Sequence, residues 1–278
     1  MSQKNKFVFF GTPSVASETL ATLIENGFIP DVVVTSPDAL RGRGLVLTPS
    51  ETKTLALANN IPVLTPEKLD EETITAIKEY GCDFAIVVAY GKIFPDALIN
   101  AFPKGVLNIH YSLLPKYRGA IPLESALLAG EAETGVTIQK MAKEIDAGNI
   151  IAQEKTVIAP SETSRELRPR LIEMGAQLLV DTLPAFLDET VTLVVQDSSL
   201  ATRAYKIKKE DGLLDLNAPA KDNWKKYRAY ADSIGTYFFE DEKRMKITKA
   251  EFVKDEFRVL RVIPEDKKEI NYRNAASS

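Results

Sequence analysis

His110 is the only histidine in a chain of 278 residues, and it stands two places after Asn108 in the stretch NIHYSLLPKYRGAIP, residues 108–122. Side chains two apart on an extended strand share a face, so this pair can address one atom. An amide N–H and an imidazole aimed at a single point form an oxyanion site, because preorganised donors stabilise negative charge developing on a carbonyl oxygen. A carboxylate beside the ring would orient it and relay a proton. Asp146, in EIDAGNI, is the candidate, since it lies in a glycine-flanked turn between two strand-like runs. The set lacks a Ser or Cys nucleophile, which suggests direct transfer to an incoming amine. Read without chemistry, the same three residues are a strand-end cap, a structural histidine and the opener of a turn.

The SLLP corner after His110 is rigid because proline fixes φ. Its two leucines can pack beneath a flat heterocycle or close a hydrophobic corner with no ligand. Arg118 either fixes this loop, meets an anionic substrate group or is solvated, and Tyr111 either covers the site or faces the core.

These residues need a scaffold, and the hydrophobic pattern predicts one. KFVFFG (6–11) reads as a strand and SVASETLATLIEN (14–26) as a helix capped by Ser14. DVVVTS (31–36) is the next strand, PDALRGRGLVLTPS (37–50) a Gly/Pro/Arg-rich loop, and helices follow near 51–59 and 66–79. DFAIVVAY (83–90) and GVLNIH (105–110) are further strands, the nearly unbroken apolar run of the former suggesting burial on both faces. The alternation predicts an α/β fold: a Rossmann-like, mostly parallel sheet with helices on both faces, and a site at the carboxyl end of its strands. A helix at 121–129, strands at 134–141 and 149–158, and an amphipathic helix at 163–187 complete this part. Residues 190–205 lose periodicity and read as a linker. Beyond it, a helix near 219–231 and strands at 244–253 and 257–263 predict a small β-rich module.

Composition narrows the classes. No run approaches the roughly 20 apolar residues needed to span a bilayer, and MSQKNKFVFFGTP has no signal-peptide pattern, so a soluble cytoplasmic protein is expected. A single cysteine, Cys82, rules out an internal disulfide and, with one histidine, a zinc site; it reads as a buried small hydrophobe. The net charge is −4, yet residues 201–278 carry 18 Lys and Arg against 14 Asp and Glu, so the basic part is the tail.

FGTPSVA, VVAYGKIFP (87–95), NIHYSLLPKYRGAIP, ETGVTIQKM and EIDAGNI occur in an order and spacing that resembles the formyltetrahydrofolate-dependent transferases, most closely those acting on methionyl-tRNA, over roughly residues 6–187. The resemblance implies that Asn108, His110 and Asp146 carry catalysis. It implies that Ser112, Leu113, Leu114 and Pro115 line the folate site, while Val88, Tyr90, Gly91 and Ile93 offer an apolar wall and backbone hydrogen bonds to the pterin. The implied co-substrate is 10-formyltetrahydrofolate, with no metal, and the implied partner is initiator methionyl-tRNA, handled by a monomer. PDALRGRG (37–44) is similar to the basic loop that enters the acceptor stem, which gives Arg41, Gly42 and Arg43 to tRNA; Ala39 stands where the family usually has a basic residue. LATRAYKIKKEDGLLDL (200–216) resembles the junction into a C-terminal OB-like β-barrel, with Lys206, Lys208 and Lys209 facing the tRNA body. The implied organisation is a catalytic domain over 1–189, a linker over 190–205 and a shortened tRNA-binding domain over 206–278. The alternative is an amino-sugar-nucleotide N-formyltransferase, which would share the core but need neither the GRG loop nor the basic junction. A folate hydrolase and a non-catalytic RNA-binding relative are the remaining readings. A nicotinamide site is disfavoured because GTPSVA lacks the G-x-G-x-x-G spacing.

Overall fold

The computed structural model describes residues 5–42 and 44–272. The chain opens on strand β1 (Phe7–Gly11) and helix α1 (Ser14–Glu25), followed by β2 (Val32–Val34), the short strands β3 (Ala39–Arg41) and β4 (Val46–Thr48), α2 (Glu51–Ala58) and β5 (Val63–Leu64). Next come α3 (Glu71–Lys78), β6 (Phe84–Val88), α4 (Asp96–Ile99), β7 (Gly105–His110), β8 (Arg118–Gly119) and α5 (Pro122–Ala129). Strands β9 (Glu133–Lys140) and β10 (Ile150–Val157) precede the long helix α6 (Ser164–Leu187). The remainder holds β11 (Arg203–Ala204), α7 (Ala220–Tyr230), β12 (Thr236–Glu240), β13 (Lys243–Val253), β14 (Glu256–Pro264) and β15 (Ile270–Asn271).

Seven strands form one sheet in the order β10-β9-β7-β6-β1-β2-β5. Strands β5, β2, β1, β6 and β7 run parallel, and β9 pairs antiparallel with β7. Every residue of β1 and β6 is buried, as strands covered on both faces must be. From β1 the chain winds through β2 to β5, then returns to lay β6 and β7 on the other side. Strand order therefore reverses between β1 and β6, and open α/β sheets bind ligands outside the carboxyl ends at such a point. No helix among the described residues is long and apolar enough to cross a membrane.

The chain forms two compact units. The first runs through Arg118 and includes Gly135–Glu154 and Leu171–Ala201; the second holds Gly119–Thr134, Lys155–Arg170 and the chain from Thr202 onward. In the second, β12, β13, β14 and β15 build an antiparallel sheet in that linear order over a core of Leu214, Phe238, Met245, Ile247, Val259 and Val262. Trp224 of α7 stacks on Tyr227 and Phe252, with ring centroids at 5.5 and 6.1 Å, as a helix packing residue. Arg168, half-buried, bridges Glu124 at 2.5 Å and Asp232 at 2.7 Å, and the buried Arg228 donates to the carbonyls of Glu162 and Ala159, so α5, α6 and α7 are tied by cations.

Several elements differ from the sequence pattern. Ser14 does not cap α1: Pro13 occupies that position and its carbonyl accepts from Ala16 and Ser17, leaving Ser14 as the first helical residue. The helix expected from 66 begins at Glu71, because the Pro66 and Glu67 carbonyls are turned toward Lys92 Nζ and Asp70 caps the helix through the Thr73 N–H. The loop at 37–50 contains the β3–β4 hairpin, and β12 follows α7 where no strand was expected. Cys82 is buried, and burial pushes its thiol up to about 12.

Gly11 ends β1 where α1 crosses close. A Cβ there would collide with the Ala16 methyl and fall 2.8 Å from Phe9 Cε1 and 3.1 Å from the Val88 carbonyl oxygen. Gly11→Ala is expected to destabilise the protein by about 1–3 kcal/mol in urea unfolding, the usual cost of overpacking. Ala16→Gly in the same chain should make the two losses less than additive; strict additivity would show that the two positions do not crowd one another.

Candidate active site

Strand β7 delivers Asn108 and His110 to one face, opposite Gln139 and Thr137 of β9 in the antiparallel register. Strand β9 runs on into the turn that carries Asp146, so the pairing of β7 with β9 determines where the carboxylate returns. His110 is 5% exposed. Its Nε2 lies 2.9 Å from the Tyr117 carbonyl oxygen. A carbonyl only accepts, so Nε2 carries the proton in that bond. Nδ1 faces Asp146 Oδ2 at 3.6 Å. The other carboxylate oxygen, Oδ1, accepts from Gln139 Nε2 at 2.8 Å. Asn108, on the same face of β7, is half-buried, and its carboxamide makes no hydrogen bond among the described residues.

The turn that holds Asp146 has tight requirements. Asp146 sits at φ +53°, a left-handed conformation that Asp tolerates better than most residues. A Cβ at Gly148 would collide with the Lys140 carbonyl, so only glycine lets the two sides of the turn approach. Gln196 enters this turn from outside the hairpin: its Nε2 donates to the carbonyls of Asp146, at 2.9 Å, and Gly148, at 2.6 Å. Arg118 is buried and donates from Nε and Nη2 to Gln196 Oε1 at 3.1 and 2.9 Å, which resolves its three sequence-level readings toward holding the loop.

The SLLP corner is stapled to the same strands. Thr137 Oγ1 donates to the Ser112 carbonyl at 2.6 Å and accepts from the Leu114 N–H at 3.2 Å. Gln153 Nε2 donates both to Thr137 Oγ1 and to the Leu114 carbonyl. Ser112 Oγ donates to the Lys116 carbonyl, Leu114 is buried, Leu113 and Pro115 are half-buried, and the Leu114–Pro115 peptide is cis. At the end of β6, Val88 is fully buried, whereas Ile93 is 82% exposed and Gly91 adopts φ +82° in an exposed turn. The Tyr90 ring packs edge-on against Phe10 and Phe94, and burial pushes its phenol up to about 12.

Arg41 closes β3 opposite Val46, Gly42 makes the exposed turn at φ +72°, and Arg43 lies outside the described residues. Lys206, Lys208 and Lys209 are all exposed. A cavity of about 450 Å³ opens among Thr163, Arg165, Asp232, Thr236 and Lys246, and includes none of Asn108, His110 and Asp146.

Sequence reasoning overlooked Thr137, Gln139, Gln153 and Gln196. Thr137 and Gln139 did carry a signal, since they are the polar residues alternating with Val136 and Ile138 on the face shared with His110 and Asn108. Gln196 carried none, because it lies in the aperiodic segment after α6.

The amino-terminal family model, described as "Formyl transferase", matches residues 5–183, and "Formyl transferase, C-terminal domain" matches residues 206–273. The methionyl-tRNA formyltransferase of Staphylococcus epidermidis is 38% identical over 251 residues, covering 90% of this chain and 81% of its own. That of Thermotoga maritima is 40% identical over 243 residues, covering 87% and 78%. Among solved structures, an N-formyltransferase from Helicobacter canadensis in complex with folinic acid and dTDP-3-aminofucose superimposes with a TM-score of 0.69 at 20% identity, covering 95% of this chain and 97% of that one. The phosphoribosylglycinamide formyltransferase of Bacillus halodurans gives 0.57 at 23% identity, covering 66% and 96%. At these identities the structural likeness establishes the fold.

Because the chain has one imidazole, its tautomer can be read directly. In a ¹⁵N spectrum of the neutral ring, Nε2 is expected to be the protonated nitrogen and Nδ1 the bare one. A neutral ring protonated at Nδ1 would show that the Tyr117 carbonyl does not hold it.

Proposed function

The chain belongs to the formyl transferase family, and from that premise we propose that it transfers the formyl group of 10-formyltetrahydrofolate to the α-amino group of initiator methionyl-tRNA. The observation that carries this reading is the convergence of Asn108, His110 and Asp146 at the carboxyl end of β7, with the imidazole bonded at one nitrogen and facing a carboxylate at the other.

The uncharged amine attacks the formyl carbon, and the carbonyl π pair moves onto oxygen. Asn108 donates its free amide N–H to that oxyanion, and the positive charge of a doubly protonated His110 stabilises it further. The proton lost by the attacking nitrogen passes to the Asp146 and His110 pair and on to N10 of the folate as the C–N10 bond breaks. The carbonyl re-forms, leaving N-formylmethionyl-tRNA and tetrahydrofolate. Ser112, Leu113, Leu114 and Pro115 offer a stapled corner suited to a flat heterocycle. The turn at 88–93, with Val88, Tyr90, Gly91 and Ile93, offers backbone groups beyond the end of a central strand, where a pterin edge can be hydrogen-bonded.

We read residues 1–189 as the transferase region, 190–205 as its connection and 206–278 as the region that holds the RNA backbone. Exposed Lys206, Lys208 and Lys209 and the net positive charge of the tail support an RNA partner, as does the glycine turn beside Arg41 and Arg43. The amino-sugar-nucleotide alternative draws on structural neighbours at 19–20% identity, against 38–40% for the methionyl-tRNA enzymes.

A transfer assay with a radiolabelled formyl donor, offering charged initiator tRNA beside amino-sugar nucleotides, is expected to label only the tRNA; label in the sugars alone would reverse the assignment. His110→Ala and Asp146→Asn should each lower kcat by about 10² or more. Turnover near that of the parent in both would remove these residues from the chemistry. Labelling of tRNA should also fall steeply with added salt, since phosphate contacts release counterions.

A further inference from the structure

We propose that Gln196, locked by Arg118, is a positioning residue that sets where Asp146 stands relative to His110. The proposal rests on the assignment of those two residues to formyl transfer.

The polar capacity of the Gln196 carboxamide is fully used. Its oxygen takes two N–H groups from the Arg118 guanidinium, and its nitrogen serves the Asp146 and Gly148 carbonyls. Flipping the amide would set its NH₂ against guanidinium donors and its oxygen against two carbonyl oxygens, so Arg118 dictates the orientation. Arg118 itself is 4% exposed, and Nη1 faces Glu144 Oε1 at 3.8 Å, on the same turn. Its charge is thus directed at the 144–148 segment.

The contacts close a circuit. His110 Nε2 donates to the carbonyl of Tyr117, the residue joined to Arg118; Arg118 holds Gln196; Gln196 holds the Asp146 backbone; and the Asp146 carboxylate returns to His110 Nδ1. Gln139 restrains the Asp146 side chain, and Gln196 grips that turn through its main chain from outside the β9–β10 hairpin. Both nitrogens of the ring are therefore referred to one rigid frame. Displacing a reacting group by about 1 Å through a change remote from the chemistry can cost about 10²-fold in rate.

Gln196→Leu removes every one of these bonds. Gln196→Glu keeps an acceptor for Arg118 but offers no N–H to the two carbonyls. Each variant is expected to lower kcat by about 10- to 100-fold while leaving KM for folate and charged tRNA close to the parent values. In the ¹⁵N spectrum the Nδ1 resonance of the single histidine should move, while Nε2, still bonded to Tyr117, stays in place. Arg118→Lys, which retains a cation with a poorer fork, should fall between parent and Gln196→Leu. A kcat equal to the parent's, or a lower kcat with Nδ1 unmoved, would overturn the proposal. The parent protein gives a check that needs no variant: the Gln196 carboxamide protons should exchange slowly with solvent and couple to the Asp146 and Gly148 carbonyl carbons, and rapid exchange would also overturn it. The histidine spectrum needs no substrate, so a failure of the tRNA assignment would show in the transfer assay alone.

Discussion

The ring of His110 is anchored at Nε2 by the Tyr117 carbonyl and faces the Asp146 carboxylate across 3.6 Å at Nδ1, and this placement depends on the rest of the first unit. The carbonyl fixes one nitrogen of a buried imidazole, where a hydrogen bond counts for more than it would in water, and the carboxylate stands close enough to the other to pair with it once the ring is protonated. The sheet is what makes this possible. Parallel strands β6 and β7 bring the peptide of Asn108 and His110 to a shared carboxyl edge, and the reversal to antiparallel at β9 sends the chain back past that edge so that Asp146 can meet the ring.

Backbone conformation shares the cost of this arrangement. Tyr117 and Asp146 both lie at positive φ, +62° and +53°, and each supplies one of the two groups that contact the imidazole. Left-handed conformations of non-glycine residues cost on the order of 1 kcal/mol or more and persist where surrounding contacts over-determine them. Here the over-determination is visible. Thr137 and Gln153 bind the main chain of Ser112 and Leu114 upstream of Tyr117, while Gln139 and Gln196 bind the side chain and main chain of Asp146. The carboxamides of Gln153 and Gln196 are joined to backbone carbonyls and so favour one geometry, while Gln139 binds Asp146 through its nitrogen and leaves its buried oxygen without a partner.

Much of this was legible in the sequence. Unbroken apolar runs in FVFFG and FAIVV gave the covered strands, and the spacing of Asn108 and His110 gave their shared face. The phase of Thr137 and Gln139 was equally readable as polar residues alternating with Val136 and Ile138, once their partner strand was known. The parts that were not legible have definite reasons. The acceptor for His110 is a main-chain carbonyl, which no side-chain pattern records. Gln196 works from an irregular segment joined to the fold by the Ile150–Val194 bridge, where neither helical nor strand periodicity applies. The β3–β4 hairpin turns Leu40, Val46 and Leu47 outward, at 60%, 64% and 63% exposure, so burial could not announce it. The helix expected from Pro66 was postponed by a lysine 26 residues along the chain that claims the Pro66 carbonyl.

The division of the chain into two units does not follow the point at which the two family models part, between residues 183 and 206. The second unit recruits Gly119–Thr134 and Lys155–Arg170 from the amino-terminal portion, and within it Arg168 reaches Asp232 while Arg228 reaches the carbonyls at 159 and 162. Modules that look separable on paper are thus laced together by one thread passing back and forth. A gene fusion or deletion made at the apparent seam would sever those cations from their partners, so any transplant of the tail between relatives would have to carry these borrowed segments with it.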